Sequence, residues 1–152
     1  MNGVHRCGVP VILLLAVLVG CTRAGPDPPA GAAVGDRQLV AEYFAAANTA
    51  AQQGAAAQQR FLDATQHPDF RGARCPLDGA TVVSEPAMST LRPDPGWLPA
   101  GAAAPPRGIV HIVAVTATVR RDGVELGTQI GSRHVVVLDG RGYGFAPCLA
   151  RP

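Results

Sequence analysis

The chain predicts an α+β fold in which N-terminal helices pack on an antiparallel sheet, and three observations carry that prediction. Leu39, Val40, Tyr43, Phe44, Ala47 and Ala51 recur at helical spacing near the start of the folded part. Two long runs rich in β-branched residues, Ile109–Arg121 and Val124–Leu138, flank Asp122-Gly123, a strong two-residue hairpin signal. Helices come first and strands afterwards, the order of an α+β domain and not of alternating βαβ units.

Residues 1–20 read as a signal peptide. Arg6 and the α-amino group form its positive end and residues 11–19 its apolar region. That region is far shorter than the roughly twenty residues a membrane-spanning helix needs. Leu18-Val19-Gly20-Cys21 follows it directly as a lipobox, with an apolar residue three before the cysteine and a small one just before it. Such a cysteine is diacylated and the chain is cut at its amino side; the alternative is an ordinary signal cut after Ala24, with Cys21 incidental. Two acyl chains hold a protein stably where one holds it weakly. The expectation is a bacterial lipoprotein, anchored through palmitate-type chains on Cys21 to the extracytoplasmic face of the cell membrane.

All 13 basic side chains are Arg, and Gly (18) and Pro (14) are abundant, the bias of a GC-rich, actinobacterial-type genome. Removal of the signal leaves 12 Arg against 11 acids, so charge suggests no nucleic-acid partner. Of the four cysteines, Cys7 leaves with the signal and Cys21 is lipidated, leaving Cys75 and Cys148. In an oxidising compartment these are expected to form one disulfide, without the close spacing of a thioredoxin-type redox pair.

Residues 21–35 are rich in Pro, Gly and Ala and read as a flexible linker. The single domain is expected over residues 36–152. Asp36 looks like the N-cap of the first helix and Gly54 its stop; a second helix, from Ala55 to about Gln66, presents Phe61 and Leu62 and ends before Pro68. Short strands are expected at residues 81–84 and 88–91. A Pro-rich loop at residues 92–108, carrying the only tryptophan, Trp97, precedes the long hairpin, and loops of that length are more often functional or disordered than passive. Asp139-Gly140 then turns the chain into a third strand through Tyr143 and Phe145.

If Asp122 and Gly123 are the two loop residues, Arg121 faces Val124, and His111 faces His134 further along on the face carrying the larger apolar residues. Tyr143 and Phe145 join them beside Val136. His111, His134, Tyr143 and Trp97 are therefore the candidate pocket residues, edging an apolar concavity with Trp97 as a lid or a pin for its loop. No catalytic residue is assigned: a histidine base beside Tyr143 is conceivable, but Ser84, Ser89 and Ser132 lie in no nucleophile motif, and Gly140, Gly142 and Gly144 sit in a hairpin and not in a phosphate cradle. No metal is assigned, because two imidazoles lack the usual third ligand, and no cofactor is implied.

The helical stripe Leu39, Val40, Tyr43, Phe44, followed by the long strands Ile109–Arg121 and Val124–Leu138, resembles the nuclear transport factor 2-like superfamily. The resemblance spans roughly residues 36–149 and rests on pattern, without a signature motif. It implies a curved, cone-like antiparallel sheet wrapped over the N-terminal helices, as in cystatin, and a pocket that some members use for catalysis and many only for binding or dimerisation. The polyketide cyclase and steroid isomerase branches place an acidic base in the pocket, and no carboxylate falls on the expected pocket face here. The expected function is thus a lipid-anchored, non-catalytic binding or interaction domain, with an envelope protein or a second copy of the chain as partner. The alternative is a pocket protein that binds or transforms a small apolar molecule at the cell surface. An interface use of the sheet predicts an exposed apolar patch at Val110, Ile112 and Ala114.

Overall fold

The computed structural model describes residues 32–72 and 75–146; Cys21, the lipobox, most of the linker and Cys148 lie outside them. The first helix, α1 (Val34–Gln52), opens two residues before Asp36, with Ala33 at the cap position and no capping side-chain bond. Asp36 is therefore not the N-cap. It sits in the first turn, where a carboxylate suits the positive end of the helix dipole, and its Oδ2 lies 3.1 Å from His111 Nε2. The helix buries Val40, Phe44, Ala47, Ala50 and Ala51, close to the expected stripe. Gly54 breaks the chain with φ +104°, a value that favours glycine. Then α2 (Ala55–Thr65) buries Leu62 and Gln58 and leaves Phe61 half-buried.

A single 3₁₀ turn (Pro68–Phe70) precedes β1 (Ala80–Pro86). Residues 88–91 do not form the expected strand. Met88–Thr90 is a 3₁₀ turn, and only the short β2 (Arg92–Pro93) pairs with the sheet. The physical reason is a side chain that substitutes for a strand carbonyl: Thr90 Oγ1 accepts the Ala114 N–H at 2.9 Å while donating to Ala87 O at 2.8 Å. Two prolines, Pro86 and Pro93, also bracket the segment and lack the N–H a ladder needs.

The long strands stand where the alternation puts them, β3 (Ile109–Arg121) and β4 (Val124–Leu138), followed by β5 (Arg141–Tyr143). Both connecting turns are two-residue loops with positive φ throughout, Asp122 (+51°) with Gly123 (+80°) and Asp139 (+50°) with Gly140 (+71°), the geometry that matches strand twist. The strand order is β1-β3-β4-β5, all antiparallel, with β2 on the β1 side of β3. This sheet is strongly curled into a half-barrel with both helices packed against it, the cone-like α+β arrangement. Along β3, buried and half-buried residues alternate, and the buried set His111, Val113, Val115 and Ala117 faces the helices. Val40 and Phe44 of α1 pack there on Val113, Val115, Val135 and Val137; Leu62 packs on Leu77, Val82 and Ala117 nearer the hairpin tip.

The edge of β1 that faces away from β3 is closed by side chains. Gln58 donates from Nε2 to Val82 O at 2.6 Å and accepts the Val82 N–H at 2.8 Å. Asn48 does the same to Ser84 at 2.9 Å in each direction. Two helix-borne amides thus satisfy alternate residues of β1 as a neighbouring strand would.

Candidate functional site

The register of the hairpin decides which candidate residues meet. Arg121 faces Val124 and Arg120 faces Glu125, but Val119 then faces Gly127, so Leu126 is the extra residue of a β-bulge. Beyond it every pair is shifted by one, and a shift by one exchanges faces. His111 faces Val135 and His134 faces Ile112. The expected histidine pair does not form; the two rings lie on opposite faces of the sheet.

His111 is fully buried on the helix side, bonded through Nε2 to Asp36, and its Nδ1 has no hydrogen-bond partner among the described residues. His134 lies on the other face, with Nε2 2.9 Å from Asp94 Oδ2 and its ring stacked on Trp97 at a 4.0 Å centroid separation. Trp97 also meets Phe145 edge-on at 4.7 Å, so it pins the Pro-rich loop to the sheet. Tyr143 faces Val136, as expected, and joins this group only through His67, whose ring is 6.1 Å away.

His67 is the residue that sequence reading misses. It is fully buried, stacks on Phe145 at 5.9 Å and meets Phe70 at 5.6 Å. Its Nδ1 accepts the Asp69 N–H, so the ring proton sits on Nε2 and is donated to Arg107 O at 2.9 Å. Arg107 returns to Asp69 with three guanidinium bonds, the shortest 2.7 Å, and this pairing holds the Asp69 carboxyl below its ordinary value. The far end of the 92–108 loop is thereby tied to the turn after α2. Only the sequence His67-Pro68-Asp69, a histidine capping a turn, hinted at it.

Inside the half-barrel a cleft of about 40 Å³ is lined by residues that include Tyr43, Phe44, Leu62, Arg133, His134 and Phe145; of the four expected pocket residues it is His134 that borders it, and His111, Tyr143 and Trp97 do not. That volume is well below the ~300 Å³ or more of a small-molecule site. The ring of Tyr43 fills much of the surrounding space, packing on Phe44 and Phe61, and its hydroxyl lies against Gly144 with no room for a Cβ there. Burial pushes the Tyr43 phenol up to about 12, although a hydrogen bond with Thr65 and the charge of Arg133 both act the other way. A phenol whose folded value is raised keeps its proton after the unfolded chain has lost its own, so this contribution to stability is full below pH 10 and falls between pH 10 and 12. In a Tyr143→Phe chain, ultraviolet titration is expected to show the remaining tyrosine ionising near 12, and a transition near 10 in the folded protein contradicts its burial.

The patch expected at Val110, Ile112 and Ala114 is not exposed: Val110 is buried and the other two are half-buried. Exposed apolar side chains lie instead on β4, at Val124, Leu126 and Ile130, the last 81% accessible. Every residue from 124 to 132 is exposed. Since β5 pairs only with Val136, Val137 and Leu138, the outer edge of β4 before Val136 has no strand neighbour among the described residues.

Among the described residues there is no cluster of three or more metal-ligating side chains, and no helix is long and apolar enough to cross a membrane. Cys75 is the single cysteine within them, and its expected partner Cys148 lies outside, as does Cys21. No protein-family model matches the chain, and no match is found among curated proteins or solved structures.

Proposed function

We propose that the chain is a lipid-anchored extracytoplasmic domain that works by binding another macromolecule and not by transforming a small one. The observation that carries this reading is the contrast between a half-barrel filled by its own side chains and a long, exposed edge on β4 that carries Val124, Leu126 and Ile130. Proteins usually blunt such edges with short strands, Pro, Lys or a covering segment. Here one edge of the sheet is closed by Asn48 and Gln58, while the other, among the described residues, presents its backbone over about eleven residues. Ligand carriers need an enclosed apolar volume, which the 40 Å³ cleft does not supply.

The resemblance to the nuclear transport factor 2-like superfamily belongs to the same proposal, supported by two helices against a curled antiparallel sheet. So does a Cys75–Cys148 bridge. Ala146, two residues before Cys148 in the sequence, is held to Gln66 at 2.7 Å, and Leu77, two residues after Cys75, to Gln59 at 3.2 Å.

Membrane fractionation with labelled palmitate tests the anchor. Label is expected on the full chain and in the membrane fraction, and a Cys21→Ser change is expected to remove both. A chain that stays on the membrane unlabelled contradicts the lipid anchor.

A further inference from the structure

We propose that the open edge of β4 takes a second copy of this chain, strand β4 pairing antiparallel with its equivalent about a twofold axis at Ile130. The inference rests on the interaction-domain reading above and names the partner.

The length of the free edge sets the register. It is bounded at one end by the Asp122-Gly123 turn and at the other by β5, which occupies β4 from Val136 onward. With Leu126 set aside as the bulge residue, the residues between those limits, Val124 to Val135, are centred on Ile130. An antiparallel partner that uses the whole edge without meeting β5 has its midpoint there. For two copies of β4 the two midpoints coincide.

That register is self-complementary in size. On the helix-facing side, Gln129 opposes Gly131 and Arg133 opposes Gly127 of the second copy, and a Cβ added at either glycine would meet nothing within 4 Å. On the other side Ile130 meets its own equivalent, Thr128 opposes Ser132, and Glu125 opposes His134. Each large side chain in the first set thus faces open space over a glycine. Within the two β4 strands no like charges face each other, as antiparallel pairs favour; Asp94, bonded to His134 at 2.9 Å, brings a second carboxylate to the side where Glu125 of the other copy arrives. The pairing also covers Ile130, the most exposed of the large apolar residues on the sheet. Anchored on one membrane face, two copies meet at a raised effective concentration, so the strand pair need not be tight in free solution.

Cysteine cross-linking of the full chain in its own membrane tests the register. At a twofold axis, opposed Cα atoms lie about 4.5 or 5.5 Å apart, within disulfide range in either ladder setting. Ile130→Cys is expected to give a covalent dimer on mild oxidation. Thr128→Cys and Ser132→Cys are each expected to remain monomeric, their equivalents being roughly 13 Å apart, and the two combined in one chain to cross-link. Absence of a dimer at Ile130→Cys, or equal yields at all three positions, overturns the inference. These side chains are all exposed, so folding is not at issue. A photo-cross-linking residue at Gln129 separates this inference from the reading beneath it. An adduct of twice the chain mass supports self-pairing, an adduct with a different protein overturns it while leaving the interaction domain, and no adduct in intact cells removes both.

Discussion

Replacing Gln58 by leucine is expected to destabilise the domain by about 3 kcal/mol, a loss of roughly 10–15 °C in Tm. The side chain is 2% exposed and lies between α2 and the edge of β1. Leucine fits the volume but leaves the Val82 N–H and C=O buried without partners, since both now go to the Gln58 amide. Each orphaned buried group costs about 1–3 kcal/mol, more than the net value of the bond it loses. Against a total of about 5–15 kcal/mol this is a large fraction. Gln52→Leu, on the exposed side of α1, is the control and is expected to change stability by less than about 0.5 kcal/mol. Urea denaturation of the two variants side by side checks the difference; equal midpoints would mean that Val82 finds other partners.

Loss of the proposed Cys75–Cys148 bridge is expected to cost on the order of 4 kcal/mol, an upper figure from the entropy of closing a loop of about 74 residues. The loop holds β1, the Pro-rich segment and the whole β3–β4 hairpin, so the bridge acts on the unfolded chain far more than on any local contact. Cys75→Ser, Cys148→Ser and the double change are expected to lower Tm equally. Dithiothreitol is expected to lower the parent protein to the same value and leave the variants where they are. A parent Tm indifferent to reductant would remove the bridge from the account.

Much of this fold was legible because its signals are local. Asp-Gly turns fix φ by themselves, and the alternation of Val113, Val115 and Ala117 needs no knowledge of distant residues. The bounds of β3 and β4 follow from those two facts. The candidate site was not legible, for one physical reason: a bulge at Leu126 has no sequence mark, yet it moves every later residue of β4 to the other face. His111 and His134 were expected to meet and are separated by the sheet for that reason alone. The polar residues of the helices misled in a similar way. Asn48 directly follows Ala47 of the apolar stripe of α1, and its amide is committed to Ser84, a partner 36 residues away that no periodicity reveals. Thr90 likewise reads as part of a strand when its hydroxyl stands in for one.

The contact between Asp36 and His111 joins the entry of the folded chain to the start of the long hairpin. From His111 the strand runs to the turn at Asp122, a reach of as much as about 35 Å at 3.3 Å per residue. A tether arriving at Ala33 therefore delivers the domain by one end of β3 and leaves the hairpin tip at the other. The bare stretch of β4 begins at that tip, so it starts about as far from the point where the chain enters the domain as the length of β3 allows.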